Sequence, residues 1–434
     1  MPLSIVILAA GQGTRMRSET PKVLHEISGK PMIHHILDAA VGLNGEITVV
    51  LNHRYEEIKK RIERNYPKVS FHRQDADNYP GTGGALRGMT FPDGKVLILN
   101  GDMPLVTTES LKKLVDIDSD MTMSVIETAN PSGYGRVKIE KDNVRAIVEE
   151  RDCTKEELEI ETVNAGVYCV DAKTLQRYIP LIENDNSQRE YYLTDIVEMA
   201  VSDGLRIKAL YVPEAEFKGV NSRVDLSEAE EIMQKRIRRK WMLLGTTMHM
   251  PESIYIDARA VLEGECTLEN GVRIEGECVV SDSRIRAHSV VECSKIIESS
   301  VGPLAHIRPG SYVEKSHIGN FVEIKKSNLK GIKAGHLSYL GDCEADEGSN
   351  IGAGTITCNY DGKSKHRTVI GKNVFIGSDT QLVAPVTLGD DTIIAAGTTV
   401  TGDIPSGALG ISRTPLKIVA GFFYRFFGRK EKKC

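Results

Sequence analysis

The sequence predicts an α/β layered domain followed by a triangular parallel β-coil, with a helix between the two. Two patterns indicate this architecture. In residues 1 to about 226, apolar runs alternate with helix-like stretches, and from about residue 300 onward aliphatic residues recur at every sixth position. The first pattern is typical of layered α/β proteins and the second of repeat proteins.

The apolar runs of the first half are continuous rather than alternating, as expected for strands buried on both faces of a largely parallel sheet. The runs are SIVILAA, EITVVLN, KVLILNGD, TMSVIE and AGVYCVD. Helical segments such as PMIHHILDAAVGL and YEEIKKRIERN lie between several of them. This order predicts a mixed sheet covered by helices.

A period of six residues sets the second half of the chain apart. Six aliphatic residues recur at this interval without interruption: Ile370, Ile376, Leu382, Leu388, Ile394 and Val400. No helix or ordinary strand has this period, but a triangular coil does, because each side takes one hexapeptide and points its aliphatic residue inward. The rhythm breaks at HLSYLGDCEADEGSN and at ITCNYDGKSKHRT. We therefore expect two loops to leave the coil, where repeat proteins often bind ligands.

The segment DLSEAEEIMQKRIRRKWMLLGTT predicts the connecting helix. Acidic residues crowd its first turns and basic residues its last, which matches the helix dipole, and Asp225 or Ser227 is suited to cap it. The expected domains are residues 1–226, a linker helix over 227–249, the coil over 250–413 and a tail over 414–434.

The composition is that of a globular protein, with 41% hydrophobic and 26% charged residues. A formal net charge of −5 argues against nucleic acid as a partner. The first residues lack a basic n-region, and no apolar stretch approaches the roughly 18 residues of a membrane span, so we expect a cytoplasmic protein without stable membrane insertion. The eight cysteines show no zinc-binding spacing, which favours reduced thiols.

The glycine-rich stretch VILAAGQGTRMRSETPK follows the first apolar run and indicates a phosphate site. A dinucleotide fingerprint would need glycine where Met16 stands, and a Walker A loop is absent. Gly11 and Gly13 let backbone N–H groups approach a triphosphate, while Arg15 and Lys22 add positive charge. Either cation alone would be explained equally well as an exposed surface charge, but the two together on a glycine-rich turn favour phosphate binding.

The motif L-A-A-G-x-G-T-R-M followed by P-K-V-L resembles the signature of the sugar-1-phosphate nucleotidyltransferases. The motifs PGTGGA, NGDMPL, GYGRV, IVEE, VNAGV and GVNSR follow in the order of that family. The resemblance implies that UTP and the UDP-sugar are bound by Leu8, Ala9, Gly11, Gly13, Gln74, Gly81, Thr82, Gly135, Glu149, Asn164 and Asn221. It also implies catalytic roles for Arg15 and Lys22.

A magnesium site is expected at Asp102, which comes at the end of a buried strand, where a carboxylate can hold a hard cation. The resemblance implies that Asn221 completes it. The implied reaction is in-line attack of a sugar 1-phosphate oxygen on the α-phosphorus of UTP, with pyrophosphate leaving. Positioning and charge neutralisation then supply the catalysis, and no covalent intermediate is needed.

The second half is similar to the acetyltransferase part of the bifunctional N-acetylglucosamine-1-phosphate uridylyltransferase / glucosamine-1-phosphate acetyltransferase family. The similarity rests on LAHIRPGSYV, GNFVEIKKS, KAGHLSYLGD, NIGAGTITCNYDGKSKH and FIGSDTQLVAPV. It implies that the whole chain is an α/β nucleotidyltransferase domain with a Rossmann-like mixed sheet, joined by a helix to a left-handed parallel β-helix of hexapeptide repeats. It further implies a homotrimer and a product that feeds peptidoglycan and lipopolysaccharide precursors.

Acetyl transfer from acetyl-CoA to an amine needs a base for the amine proton and donors for the developing oxyanion. His336 is the candidate base, since imidazole ordinarily has a pKa of about 6.5. The family resemblance implies two further groups of residues. The sugar phosphate would be held by Arg308, Lys325, Tyr339, Asn350 and Lys365. Acetyl-CoA would be held by Ala353, Asn359, Tyr360, Ser378, Ala396 and Arg413.

Several residues depart from the family pattern and keep alternatives open. Gln74 lies seven residues before Gly81, where the family spacing is five, and Asn100 and Ala165 stand where Tyr and Thr are usual. Arg151 replaces a Lys of the motif. The alternatives are the same fold acting on another nucleotide or sugar, for example dTTP with glucose or galactosamine phosphates, and a non-catalytic regulatory subunit.

The tail after Arg413, TPLKIVAGFFYRFFGRKEKKC, contains four of the nine Phe of the chain and six basic residues against one acidic. An aromatic arm packed on a neighbouring subunit is the favoured interpretation. Transient contact with anionic lipid is the alternative.

Overall fold

A computed structural model of the chain describes residues 2–141 and 143–428. The fold divides into two compact units, Met1–Ile237 and Arg238–Cys434. The predicted tail residues 429–434 lie outside the described part of the chain. Over the described residues, no helix combines the length and the hydropathy that crossing a bilayer requires.

The first unit is built on a nine-stranded mixed sheet, as the sequence predicts. Its first four strands in spatial order run parallel, and the fourth pairs antiparallel with the fifth. From one edge to the other the strands are Ser70–Arg73, Glu46–Leu51, Leu3–Leu8, Lys95–Asn100, Thr162–Asp171, Met121–Glu127, Ile207–Tyr211, Asn143–Val148 and Arg136–Glu140. Glu26–Ile27 and Lys30–Pro31 form a separate hairpin.

Two hydrophobic cores, one on each face of this sheet, explain the continuous apolar runs. Ile5 and Leu97 belong to one core, whereas their neighbours Val6 and Val96 belong to the other. Successive side chains of a strand point to opposite faces, so a strand covered on both faces must be apolar throughout. The α-helices of this unit before the connecting helix are Met32–Val41, Tyr55–Glu63, Thr108–Asp116, Lys155–Leu158, Ala172–Tyr178, Asp195–Ser202 and Glu214–Phe217. Short 3-10 turns of this unit occupy Thr14–Met16, Lys22–Leu24, Gly84–Leu86, Glu150–Asp152 and Ile179–Leu181, and the second unit has one at Pro251–Ser253.

The connecting helix runs from Arg223 to Leu243, so it begins before residue 227 and ends before residue 249. Ser222 caps it rather than Asp225 or Ser227. The Ser222 hydroxyl accepts a hydrogen bond from the Asp225 amide, and the Asp225 carboxylate accepts one from the Ser222 amide. This reciprocal pair is a capping box, and it places Asp225 inside the first turn.

The second unit is the parallel β-helix that the period of six predicts, and the left-handed hexapeptide fold class is confirmed. Three parallel sheets form its faces, with ten, nine and eight strands. The first face contains Thr247–Met248, Thr267–Leu268, Arg284–Ile285, Ser300–Val301, His317–Asn320, Lys333–His336, Asn350–Ile351, Phe375–Ile376, Ile393–Ile394 and Leu409–Gly410. The second contains Tyr255–Ile256, Arg273–Glu275, Val290–Glu292, His306–Ile307, Glu323–Lys325, Tyr339–Gly341, Ile356–Cys358, Gln381–Val383 and Thr399–Val400. The third contains Val261–Glu263, Val279–Ser281, Lys295–Ile297, Tyr312–Glu314, Asn328–Lys330, Cys343–Ala345, Thr368–Ile370 and Val386–Leu388.

One of the two loops expected from breaks in the period is present and the other is not. Residues 359–367 leave the coil between its second and third faces, as predicted. The stretch HLSYLGDCEADEGSN instead continues the coil, with strands at Tyr339–Gly341 and Cys343–Ala345. The prediction was wrong there because Ala345 in this stretch, and Ala334 just before it, fill interior positions that larger aliphatic residues fill elsewhere, which hides the period.

The tail residues 414–428 contain one short helix, Phe422–Phe426. All four phenylalanines of this segment, which are Phe422, Phe423, Phe426 and Phe427, are more than half exposed.

Candidate functional site

The glycine-rich turn after the strand Leu3–Leu8 is shaped to receive a ligand. Gly13 has a φ of 65°, and a Cβ added to it would lie 2.6 Å from the Lys22 Cβ, so a larger residue would displace the lysine stem. At Gly11, an added Cβ would meet no described atom within 4 Å. The backbone at Gly11 is therefore open, while Gly13 lets Lys22 pack closely against the turn.

Arg15, Lys22, Asp102 and Asn221 form one polar cluster beside this turn. Lys22 Nζ donates to Asp102 Oδ2 at 2.5 Å and to Asn221 Oδ1 at 2.7 Å. The Arg15 guanidinium donates to the same Asn221 oxygen at 2.8 Å. The fold thus brings together four residues that the sequence placed in three separate motifs, and it gives them a net positive charge.

A cavity of about 430 Å³ lies next to the cluster, at the ends of the central strands. Eight predicted site residues line it: Leu8, Ala9, Gly11, Lys22, Gln74, Gly81, Thr82 and Asp102. The sequence argument did not assign Ala10, Gln12, Val23, Asn52, Ala76, Pro80, Ala85, Asn100 or Glu190, which line it as well. Asn100 had been named only as a departure from the family pattern. Asn52 could have been found, since it closes the carboxyl end of a parallel strand, where ligands of α/β sheets bind.

The Gln74 side chain is buried and hydrogen-bonded to the protein backbone, so only part of it is free to read a base. It is 8% exposed, and its amide nitrogen donates to the carbonyl oxygens of Tyr79 and Gly81, each at 3.0 Å. Both amide hydrogens therefore hold the loop between Gln74 and Gly81. In the described part of the chain no donor reaches the Gln74 carbonyl oxygen, which leaves this acceptor available to a ligand.

Gly135, Glu149 and Asn164 form a second group. The Asn164 amide donates to the Gly135 carbonyl at 2.9 Å, and an added Cβ at Gly135 would lie 3.3 Å from a Glu149 carboxylate oxygen. Burial raises the pKa of Glu149 above its ordinary value, although a hydrogen bond from the Thr194 hydroxyl at 3.2 Å opposes the shift. Thr194 was not assigned from the sequence, and nothing in its YYLTD context singled it out.

An irregular register in the strand Thr162–Asp171 joins this group to the cavity. The pairing with Met121–Glu127 shifts between Asn164 and Tyr168, and Gly166 has a φ of 78°. Bulges of this kind often lie beside active sites. The Asn100 amide donates to the Gly166 carbonyl at 3.3 Å, whereas the Ala165 side chain is buried in the core.

In the β-helix, His336 and three residues of the expected acetyl-CoA group occupy one corner. Ala353, Ser378 and Ala396 each precede a corner residue of positive φ, as His336 precedes Leu337. Asp379 N donates to Ala353 O and Gly397 N to Ser378 O, both at 2.8 Å, so successive coils stack these positions. An added Cβ at Gly397 would lie 3.8 Å from the Arg413 side chain, which places Arg413 at the same corner.

Arg308, Lys325 and Tyr339 belong to the second face, which begins at that corner. They occupy three successive coils, in which Ile307 pairs with Ile324 and Lys325 with Gly341. Arg308 donates to a Glu323 carboxylate oxygen at 2.8 Å, and this hydrogen bond raises the pKa of Arg308. The cations thus lie side by side although the chain separates them by a full coil, because parallel coils stack equivalent positions.

The loop 359–367 follows the second face and carries Asn359, Tyr360 and Lys365. Tyr360 and Lys365 pair across the loop, with Lys365 Nζ 4.5 Å from the centre of the Tyr360 ring. Asn359 donates to the Asp342 carboxylate of a neighbouring coil. Asn350 lies on the first face, in the coil after His336. The predicted acetyl-transfer residues therefore share one corner, its flanking faces and one loop.

Two family models match the chain, one in each half. Residues 5–135 match the model of the MobA-like NTP transferase domain, and residues 367–402 match that of the bacterial transferase hexapeptide (six repeats). Among solved structures, an inositol-1-phosphate CTP transferase from T. maritima is similar with a TM-score of 0.44 and 17% identity, over 54% of this chain and 95% of that one.

Curated relatives match almost the whole chain. The Bifunctional protein GlmU of a Sulfurovum species is 60% identical over 99% of this chain and 100% of its own length. The proteins of that name from a Nitratiruptor species and from Wolinella succinogenes are 57% and 56% identical, each over 99% of this chain and 100% of its own length. The predicted pairing of a nucleotidyltransferase domain with a hexapeptide-repeat transferase domain is confirmed, and the chain belongs to the family of bifunctional GlmU proteins.

Proposed function

We propose that this chain makes UDP-N-acetylglucosamine in two steps. The β-helix transfers an acetyl group from acetyl-CoA to glucosamine 1-phosphate, and the first domain then transfers a uridylyl group from UTP to the acetylated sugar phosphate. The cluster in which Lys22 and Arg15 converge on Asn221 beside an open glycine turn carries the assignment of the second step. Two cations at a cavity of this size suit a triphosphate and a sugar phosphate together.

In the uridylyl step, a phosphate oxygen of N-acetylglucosamine 1-phosphate attacks the α-phosphorus of UTP. The bond to the bridging oxygen of the β-phosphate breaks and pyrophosphate leaves with its electron pair. Lys22 and Arg15 neutralise the charge that develops on the phosphoryl oxygens, and the open backbone at Gly11 approaches the phosphates. Gly135, Glu149 and Asn164 hold the sugar.

Asp102 and Asn221 are suited to hold Mg²⁺, because Asp102 Oδ2 and Asn221 Oδ1 point at the same positive charge. In this structure that charge is the Lys22 ammonium, which donates a hydrogen bond to each oxygen. The described residues contain no group of three or more His, Cys, Asp or Glu side chains placed to hold a metal. A site of one carboxylate and one amide oxygen, completed by substrate phosphates and water, is nevertheless the usual protein contribution to Mg²⁺ binding. The ion would supply further charge neutralisation at the phosphates.

In the acetyl step, the His336 imidazole takes a proton as the glucosamine nitrogen attacks the thioester carbonyl. The carbon–sulfur bond breaks, and the CoA thiolate leaves and is protonated. The stacking of His336 with Ala353, Ser378 and Ala396 supports this role, because small residues leave room for the thioester beside the base. Arg308, Lys325 and Lys365 supply the charge for the sugar phosphate, and Arg413 supplies charge at the CoA end.

An exposed apolar stripe on the first face supports an oligomer, for which the family favours a homotrimer. Phe375, Ile393 and Leu409 pair in register on neighbouring strands and are 53%, 51% and 62% exposed. A contiguous apolar stripe of this kind marks an interface, and a second copy of the chain is its natural partner. Light scattering should give a mass of three chains, and Ile393→Lys should lower it.

The experiment mixes the purified protein with glucosamine 1-phosphate, acetyl-CoA, UTP and Mg²⁺ and follows free thiol and pyrophosphate separately. Both should appear, with pyrophosphate lagging and dependent on acetyl-CoA. Thiol alone would contradict the uridylyl assignment, and pyrophosphate from pre-acetylated sugar without thiol would reduce the β-helix to a scaffold. Replacing UTP by dTTP, and the sugar by glucose 1-phosphate, tests the alternative substrates. The free carbonyl oxygen of Gln74 favours UTP or dTTP, whose bases present an N3–H donor.

A further inference from the structure

The loop over residues 75–82 is a thin wall between two cavities. Ala76, Pro80, Gly81 and Thr82 line the cavity proposed to bind the nucleotide. Asp75 and Tyr79 line a second cavity of about 380 Å³ on the other side, together with His72, Arg73, Arg87 and Pro180. Because open space lies behind the wall, packing against the core does not fix its position, and specific contacts have to do so.

Arg87 makes such contacts with two aromatic rings. Its guanidinium carbon lies 4.6 Å from the centre of the Tyr79 ring and 4.6 Å from that of Tyr191, and the two rings meet edge to face at 5.5 Å. The guanidinium also donates to the Ile182 carbonyl at 2.8 Å. In the described part of the chain no carboxylate pairs with Arg87, so the aromatic faces and backbone carbonyls are what hold this charge.

Tyr79 belongs to the wall itself, and Tyr191 is hydrogen-bonded to the backbone at and beside it. Tyr191 N donates to Pro80 O, and Gly83 N donates to Tyr191 O, each at 2.8 Å. An added Cβ at Gly81 would lie 2.7 Å from Tyr191 O, which shows how closely the two segments approach. The Tyr79 carbonyl accepts a hydrogen bond from Gln74 on the nucleotide side. A displacement of the aromatic pair would therefore move the wall.

We propose that Arg87 is a positioning residue for the nucleotide base, and that it acts through Tyr79 and Tyr191 on the wall at Pro80–Thr82. This role rests on the proposed uridylyl transfer at the adjoining cavity. Arg87 lies behind the wall and belongs to the rear cavity, so it acts on the width of the base pocket and on the pocket's preference between pyrimidines. Arg87 does not contact Lys22, so the rate of the phosphate chemistry should not depend on it.

The test compares Arg87→Leu, Arg87→Lys and Tyr79→Phe with the wild type, using the full chain and pre-acetylated sugar phosphate. Arg87→Leu should raise the KM for UTP about tenfold and change kcat less than about twofold, since the loss lies in base binding. The discrimination between UTP and CTP should fall as well. Arg87→Lys keeps the charge and should recover part of the KM, and Tyr79→Phe keeps the ring and should resemble the wild type.

Arg177→Leu is the control. Arg177 also lies over a tyrosine ring, that of Tyr178, at 5.3 Å, but it pairs with the Asp203 carboxylate and lies outside the wall. Acetyl transfer should be unchanged in every variant. Tyr79→Leu is measured alone and combined with Arg87→Leu, and the double variant should be no worse than the more affected of these two single variants, since both changes disrupt the same contact. This cycle, measured with thermal unfolding, keeps the test decisive if one variant folds poorly.

Unchanged KM and pyrimidine discrimination in Arg87→Leu would overturn the positioning role while leaving uridylyl transfer intact. An equal effect of Arg177→Leu, or a loss of kcat at constant KM, would overturn it too, because it would indicate a general loss of stability. A wild type that releases no pyrophosphate from any nucleotide would overturn the proposed function, and the positioning role with it.

Discussion

Asp195 should lower the stability of the first domain at neutral pH. It is the first residue of the helix Asp195–Ser202, and burial, reinforced by the charge of Glu149 nearby, raises its pKa from 3.8 to about 6. Between about pH 4 and pH 6 the folded protein therefore keeps a proton that the unfolded chain has lost. The free energy of unfolding falls as the pH rises through this window and stays lower above it.

The magnitude follows from the pKa. A rise from 3.8 to about 6 corresponds to about 3 kcal/mol, and the partial solvent exposure of the carboxylate reduces this to about 1.5 kcal/mol. Asp195→Asn removes the charge and keeps the shape. At pH 8 it should raise the melting temperature of the transition that contains the first domain by about 3–6 °C, and at pH 4 it should have almost no effect.

Calorimetry of the full chain at several pH values measures this difference between variant and wild type. Asp118→Asn, which removes an exposed carboxylate elsewhere in the domain, is the control and should give a small difference that does not follow this pH window. An Asp195→Asn effect of equal size at pH 4 and pH 8 would refute the argument, because a shift caused by burial of a charge must disappear once the charge is neutralised.

Three further predictions concern the two sites. Lys22→Met removes the cation that contacts Asp102 and Asn221 and should lower kcat for pyrophosphate release by about 10²–10³-fold, with thiol release unchanged as the check that the protein is folded. His336→Ala should lower thiol release by about 10²–10⁴-fold while uridylyl transfer to pre-acetylated sugar continues; equal losses in both assays would contradict its role as a base. Hydrogen bonds from the Ser364 and Lys363 amides and from His366 hold the pKa of Asp361 below its ordinary value and tie the loop 359–367 together. Asp361→Ala should loosen that loop and raise the KM for glucosamine 1-phosphate about fivefold to tenfold, and an unchanged KM would mean that the loop does not place Lys365.

Much of the fold was predictable because it depends on local periodicity. The continuous apolar runs identified a sheet buried on both faces, and the period of six identified the coil. Both patterns reflect which way each side chain points, a property that neighbouring residues determine. The prediction failed at HLSYLGDCEADEGSN, where Ala345 occupies the interior and Ala334 does so just before the stretch, since a pattern search for aliphatic residues overlooks alanine.

Several residues that meet in the candidate sites were named from motifs, but Asn52 and Thr194 were not, and the arrangement could not be predicted. The glycine turn and its two cations could be assigned from the motif alone. Only the tertiary structure brought Arg15 to Asn221, which lies 206 positions further along the chain.

What the sequence determined by itself is the set of elements and the chemical types at each site, because spacing and composition act over a few residues. The tertiary structure decided which of these groups meet. In the folded protein the Gln74 amide donates hydrogen bonds to the carbonyls of Tyr79 and Gly81. His336 and Ala353 lie on successive coils at one corner of the β-helix. The physical reason is that such contacts are made between elements, so they depend on how sheets and coils pack and leave no mark in any local pattern.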